Sequence, residues 1–542
     1  MAALIFETAT PALRTAPERA DVACFVGFVA RRRASPLPDA VRQQLREAGW
    51  VDGPWRRGAD ALESLENLPV VVDSWALFDR LFAWDERLVG RAPDPVSGVQ
   101  ARCASYLGAA VRSFFARGGR RAVVVRVGDP WPFLESPENR AARRRARLGR
   151  LLPGFNGGSA PDRAFDPLDP SSWCGIEHVA GLGEVSLLCL PDLPDACSTE
   201  PRSPPVAVAL APPPEGFVEC SVEEPALPLD TGLRGLLAPR LDSQGYGPWR
   251  VAVAAVRAFL ARHQREVLFV AALPLPREDA RRPLGEGGVH AHSDMLAFLR
   301  RSGVFEAEGQ HAGGPLSIAS AFVQLAYPWL NTRAAVDLPE GLEAPDGVLA
   351  GLIAASALAR GTHASAAGDF AAARLRDVQG AEPVPAWGAG PDSPAAQLAE
   401  RVCLFAPQAG GWALQSDVTT SADVAWRSAG VSRLMATLLR AARLRGQAVL
   451  FDGNGPATWG RLRRSVEELL KGFWRAGALA GATPEEAFEV RCDRSTMTQN
   501  DIDNGRLVTR ITVWPAHSIE RITVVLALAT AGLGQADLRE VA

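Results

Sequence analysis

Short continuous apolar runs stand at 21–29 (DVACFVGFV), 70–72, 122–127, 185–190 and 267–273, each bounded by turn-forming or charged residues. Runs of this length predict strands covered on both faces. Between them apolar positions recur at helical spacing. Ser74 is placed to cap a helix over 75–82. The 106–117 segment puts Leu107, Val111, Phe114 and Phe115 on one side and stops at Gly118-Gly119. Helices are also expected over 252–263, 318–329 and 347–360, the last opened by Pro345-Asp346-Gly347. Helix alternating with strand predicts an α/β layer. Residues 129–165, with the basic run Arg143-Arg-Arg-Ala-Arg147, and the proline- and acid-rich 191–230 read as loop-heavy insertions. The Pro/Gly/Ala stretch 378–396 reads as a linker.

The pattern sharpens toward the C-terminus. Asp423 is placed to cap a helix reaching about residue 445, with Val424, Val431, Leu434 and Leu438 inward and Gly446 as its stop. Residues 448–451 read as a strand. Pro456 opens a helix to 476 whose inward stripe is Trp459, Leu462, Val466, Leu469 and Phe473. Its opposite stripe is charged: Arg461, Arg464, Glu468, Lys471 and Arg475. A short strand at 487–492 runs into a loop rich in Ser, Thr, Asp and Asn that ends in the turn signal Asn504-Gly505. The next strand alternates Leu507, Thr509, Ile511 and Val513 against Val508, Arg510 and Thr512. After Trp514-Pro515 a further strand-like run at 519–529 carries Ile519, Ile522, Val524 and Leu526, and Leu4, Ile5 and Phe6 form a similar short run at the other end. The expected organisation is an arm at 1–20, an outer α/β region at 21–390, a C-terminal domain with mixed sheet and flanking helices at 391–516, and a second arm at 517–542. The fold class is mixed α/β with α+β character.

The segments Phe488-Glu-Val-Arg-Cys-Asp493, Thr496-Met-Thr498 and Asp501-Ile-Asp-Asn-Gly-Arg506 resemble the C-terminal domain of contractile tail sheath proteins, which build phage tails and related contractile injection systems. Ala425-Trp-Arg427, Val431-Ser-Arg-Leu434, and Trp474 followed by Gly477-Ala-Leu-Ala-Gly481 fit the same pattern. The likeness is specific from about residue 420 onward and diffuse before that. Trp426, Arg427, Asp493, Asp501, Asp503, Gly505 and Arg506 carry the motif. It implies a structural subunit that polymerises helically around an inner tube, in stacked six-fold rings, and contracts to drive the tube through a target envelope. It also implies baseplate and terminal cap proteins as partners. N- and C-terminal arms of neighbours would complete a sheet, here through Leu4, Ile5, Phe6, Ile519, Ile522, Val524 and Leu526. The stretch Trp514-Pro-Ala-His-Ser518 with Ile519-Glu-Arg-Ile522 looks more like injection-system relatives than phage sheaths.

Composition narrows the alternatives. With 542 residues, 47% hydrophobic and 22% charged, the chain is globular and exceeds one ordinary domain. A net charge of −3 asks for no nucleic acid or anionic membrane. Eight scattered cysteines without a CxxC read as buried thiols of a reducing compartment. No apolar run is long enough to span a bilayer, so no membrane insertion is expected. Assembly is expected in the cytoplasm, within a particle released by lysis or anchored in the cell.

The chemistry-bearing motifs are weak. Lys471 is the only lysine and lies in a helix, which excludes a phosphate-binding GxxxxGK[ST] loop. Asp452-Gly-Asn-Gly455 before a helix reads as a plain turn rather than an anion site. His290-Ala-His292-Ser-Asp294 resembles the HxHxD start of metal-dependent hydrolases, but Met295 stands where the next ligand is expected. A hydrolase using His290, His292 and Asp294 is the alternative reading. Asp501-Ile-Asp503-Asn-Gly505 has its glycine one place early for a calcium loop. No GxSxG elbow occurs, and Cys492 reads as a packed thiol. The basic 140–150 run lacks interleaved aromatics and reads as a solvated helical face. Neither a catalytic set nor a cofactor is expected. The charged stripe Arg461, Arg464, Glu468, Lys471 and Arg475 suits a tube- or neighbour-facing surface, because electrostatic contacts there are reversible.

Overall fold

The continuous apolar runs become one large sheet. The computed structural model describes residues 19–516 apart from 34, 91–99, 136–137, 158–162, 200–232, 278–291, 307–313, 315, 369–373, 384–393 and 409. In chain order the sheet strands are β1 (Ala23–Gly27), β2 (Val70–Val72), β3 (Ala122–Arg126), β4 (Leu187–Cys189), β5 (Leu268–Ala272), β6 (Val323–Tyr327), β7 (Arg374–Leu375), β8 (Cys403–Gln408) and β9 (Gly411–Leu414). Their spatial order is β7-β9-β8-β6-β5-β4-β1-β3-β2. The strands from β8 to β3 are parallel. β2 is antiparallel at one edge, and β9 folds back on β8 at the other. Phe25 registers with Val124 on one side and Cys189 on the other.

Two layers of helix bury the two faces, which is why the strands lack polar alternation. Ala23, Phe25, Ala122, Val124, Leu187, Leu268 and Val270 face one core; Cys24, Val26, Val123, Val125, Leu188 and Phe269 face the other. The first face carries α1 (Tyr106–Ala116). The second carries α2 (Arg140–Leu151), α3 (Ser243–His263) and α4 (His292–Arg301). The first face also carries α5 (Asp346–Arg360), which lies close along α1. A Cβ on Gly347 would fall 2.4 Å from the Ala110 carbonyl oxygen, and one on Gly351 2.8 Å from that of Phe114. Ser74 and Ser105 cap their helices through their hydroxyls, accepting from Leu77 N (3.3 Å) and Gly108 N (3.2 Å).

Beyond the sheet, α6 (Ala429–Gln447) leads to α7 (Pro456–Arg475) and a two-stranded antiparallel hairpin of β10 (Phe488–Arg491) and β11 (Arg510–Val513). These form a third core: Leu434 and Leu438 of α6, Trp459, Leu462, Val466, Leu469 and Phe473 of α7, and Phe488, Val490 and Cys492 at the hairpin. The inward stripe expected of α7 is therefore the buried one. β8 and β9 belong to the large sheet, whereas this separate core begins on α6.

Four local expectations are corrected. Residues 318–329 are not a helix; 323–327 form β6, parallel to β5 and β8. An apolar run buried on all sides has the same composition in either state. Residues 448–451 are not a strand but a turn after α6, with Leu450 and Phe451 exposed and Phe451 at φ +70°. No layer covers that run. Asp423 caps only the 3-10 turn Val424–Trp426, accepting from Ala425 N at 2.9 Å, and α6 starts afresh at Ala429. Val424 accordingly points to solvent, 70% exposed. The 129–165 insertion is not irregular throughout: it contains α2, whose Leu148 and Leu151 are buried.

Candidate assembly interface

The β10–β11 hairpin is two strands wide, and a sheet of that width is marginal on its own. Phe488 and Val490 point onto α7, while Glu489 and Arg491 point outward. Ile511 and Val513 are half-buried, and Arg510 and Thr512 are exposed, so the alternation expected of 507–513 is present over β11. Neither the β10 edge nor the β11 edge meets another strand among the described residues. Such edges offer main-chain donors and acceptors to an added strand. The chain leaves the hairpin firmly held: Ala480 N donates to Trp514 O (2.8 Å) and Ala516 N to Ala478 O (3.0 Å).

The loop between β10 and β11 is a capped helical turn rather than a simple hairpin turn. Thr498 and Asp501 form a reciprocal capping box at the start of the short helix Gln499–Asp503. Only Gly505 takes positive φ, +69°, and Asn504 stays at −88°. Gly505 N donates to Ile502 O (3.0 Å) and Arg506 N to Asp501 O (2.7 Å), which closes the turn. Asp501 also pairs with Arg506 at 2.7 Å. Hydrogen bonds from Thr498 hold its carboxyl below the usual range. Asp493 accepts from Ser495 N (2.7 Å) and Oγ (2.6 Å), and these bonds lower its pKa likewise. Asp503 accepts from Gln499 Nε2 at 2.7 Å. The acidic motif residues are thus turn fasteners at the mouth of the hairpin. Asn454 ties the preceding loop to the same place, donating to Arg506 O at 3.2 Å.

Trp426 is 37% exposed, and Arg427 pairs with Glu400 at 3.3 Å. Arg461, Arg464, Glu468 and Arg475 lie on the exposed side of α7 and Lys471 is partly buried there. Arg461 pairs with Asp452, and Arg475 reaches Glu468 at 4.0 Å. Leu4, Ile5, Phe6, Ile519, Ile522, Val524 and Leu526 lie outside the described residues, as does His290. His292 and Asp294 lie in the first turn of α4. Among the described residues no group of three or more His, Cys, Asp and Glu could hold a metal ion. No described helix is long and apolar enough to cross a membrane.

Sequence reasoning missed two buried arginines on α6. Arg433 donates to both Asp417 oxygens (2.6 and 3.0 Å), with both side chains at most 2% exposed. It also reaches the carbonyls of Thr362 and Ala364. Arg440, seven residues on and so on the same face of the helix, reaches the carbonyls that precede β1, β4 and β5. The signal was a pair of arginines seven residues apart, at 433 and 440, on the buried helix face that also carries Ala436 and Thr437.

The crevice where open α/β sheets take ligands, at the carboxyl ends of β1 and β4, is filled by the chain itself. Asp192 accepts from Phe28 N at 2.7 Å, and a Cβ on Gly27 would lie 2.3 Å from its Oδ2. Burial raises Asp192 to a pKa of about 7. Beside it Arg87 and Asp195 pair at 2.8 Å, each at most 2% exposed.

Residues 421–528 match the family model of the phage tail sheath C-terminal domain. The chain is similar in fold to chains in cryo-EM structures of the anti-feeding prophage (AFP). It is similar to a chain of the AFP baseplate in the contracted state, with 18% identity, a TM-score of 0.55, and 99% of this chain and 98% of that one covered. A chain of the six-fold symmetrised AFP baseplate gives 17% identity and a TM-score of 0.53 over 98% and 99%. The contracted AFP helical sheath gives 18% and 0.50 over 96% and 97%. No curated protein matches by sequence.

Proposed function

We propose that this chain is a structural subunit of a contractile sheath, which polymerises helically and contracts to drive an inner tube through a target envelope. The observation that carries the reading is the match of residues 421–528 to the sheath C-terminal domain model, joined to a fold similar over 96% of the chain to a contracted helical sheath. The open hairpin supports it. A head-to-tail strand addition is heterologous and so builds rings or helices rather than closed dimers. Arms at 1–20 and 517–542 supply the added strands, through Leu4, Ile5 and Phe6 and through Ile519, Ile522, Val524 and Leu526. The charged side of α7, from Arg461 to Arg475, faces the tube or a neighbour. The self-plugged crevice of the sheet argues for a scaffold role rather than catalysis. The partners are further copies of this chain in six-fold rings, an inner tube, a baseplate and a terminal cap. Assembly takes place in the cytoplasm, and the finished particle acts outside the cell or from an anchored position.

Energy for contraction then comes from the difference between two packed lattices, a few kcal/mol per subunit being the scale on which bistable interfaces differ. Electron microscopy of the purified chain, alone and co-expressed with its tube protein, tests the reading. Hollow sheaths are expected. A chain that stays solitary at high concentration in both settings overturns it.

A further inference from the structure

We infer that Arg440 ties the root of the N-terminal arm to the C-terminal domain, so that both arms of a subunit leave from one rigid piece. The inference rests on the sheath reading for its consequence but not for its geometry. Arg440 sits on α6, is 6% exposed, and spreads its guanidinium over the amino ends of three parallel strands. Nη1 donates to Arg19 O (2.9 Å) and Glu184 O (3.4 Å). Nη2 donates to Val185 O (3.0 Å), Ser186 Oγ (3.0 Å) and Glu266 O (3.2 Å).

Arg19 lies four residues before β1. Its carbonyl is held twice, by Arg440 and by the Ser186 hydroxyl at 3.2 Å. The other arm is rooted on the same domain, through the bonds of residues 514 and 516 to 478–480. A pull on the first arm therefore passes through Arg440 into α6, and from α6 into the core that holds the hairpin. Every acceptor except Ser186 is main chain, so the contact reads where the backbone is and not which residue stands there. The planar fork matters, because it reaches acceptors on two sides at once and a single ammonium does not.

The test uses the full chain with Arg440→Gln and Arg440→Lys, read by hydrogen exchange and by electron microscopy. In R440Q the amides of residues 20–22 are expected to exchange about tenfold faster, while those of β10 are unchanged. Sheaths from R440Q are expected to be sparse or short, with R440K between it and the parent. Unaltered exchange at 20–22, or sheaths of parental length and number from R440Q, overturns the inference. Should R440Q fail to fold, R440K carries the exchange measurement, and undiminished protection there is equally fatal. If the parent chain itself forms no sheath, the sheath reading fails, while the exchange data still judge Arg440.

Discussion

Arg433 of α6 and Asp417, in the segment after β9, form a bidentate pair buried at the seam between the large sheet and the C-terminal core. Gln324 of β6 and the Ala366 amide also donate to Asp417, at 3.0 and 2.7 Å. Burial alone would push the Asp417 carboxyl up, but the guanidinium outweighs it and the pKa ends below the usual range. Each partner is tolerable there only because of the other. Arg433→Met strands a buried carboxylate and is expected to cost about 3–5 kcal/mol. The double change R433M/D417L is expected to recover most of that loss. Urea unfolding of both variants measures it, and a double variant as weak as the single would contradict the pair's mutual dependence.

Glu343 has the opposite habit. It is 1% exposed and accepts from Ser113 Oγ at 2.8 Å and from Thr332 Oγ1. Burial lifts its pKa from 4.5 to about 7 despite those two donors and the nearby Arg117, with Asp377 adding a little in the same direction. Asp346, at the head of α5, is also held well above the usual carboxylate range, by burial first and by Glu343 in addition. A raised carboxyl contributes stability below its unfolded pKa and loses it as pH climbs through the folded value. The chain is therefore expected to lose stability between pH 4.5 and about 7, on the order of 3 kcal/mol from Glu343 alone. Glu343→Gln should flatten that part of the slope. Urea midpoints compared at about pH 5 and about pH 8 give the answer, and an identical slope in E343Q would assign the effect to Asp192 and Asp346.

How far the chain could be read in advance follows from burial. The parallel strands β1, β3, β4 and β5 are covered on both faces, so their runs are almost continuously apolar, with Arg126 at the end of β3 as the one polar residue among them. β6 has one: Gln324, buried and bonded to Asp417, breaks the run and lends it a helical look. The α7 stripe was legible because one side of it is solvated. The paired arginines of α6 were not, since an arginine in a stripe reads as surface until its acceptors are known, and those come from residues far off in the chain. Asn504-Gly505 reads in the sequence as a plain turn, but the capping box of Thr498 and Asp501 makes it a helix end.

Gly505 closes that helix end at φ +69° with nothing within 4 Å of where a Cβ would stand. The penalty for Gly505→Ala is therefore backbone strain without a clash, about 1 kcal/mol. Gly505→Asn is expected to be milder, because asparagine enters the left-handed region more readily. Thermal unfolding ranks the three, and an alanine variant as stable as the parent would show that the turn relaxes. Since the turn sits at the hairpin mouth, G505A should also slow assembly more than its stability loss alone accounts for.

The arms give the most direct prediction. Among the described residues α6, α7 and the hairpin bury one another, and Ala516 is bonded to Ala478. Deleting 517–542 is thus expected to leave a folded subunit with a circular dichroism spectrum and melting point close to the parent's. Under the proposed arm exchange the same chain is expected to build no sheath, having nothing to lend to a neighbour's hairpin. Removing residues 2–18 should act alike from the other end. A mixture of the two truncations should not rescue assembly, since each copy still lacks one of its two links and a head-to-tail chain stops wherever a link is missing. Light scattering and negative-stain images of each truncation and of the mixture decide it. Sheaths of ordinary length from the 517–542 deletion would mean that the hairpin edge is closed by something other than the arm.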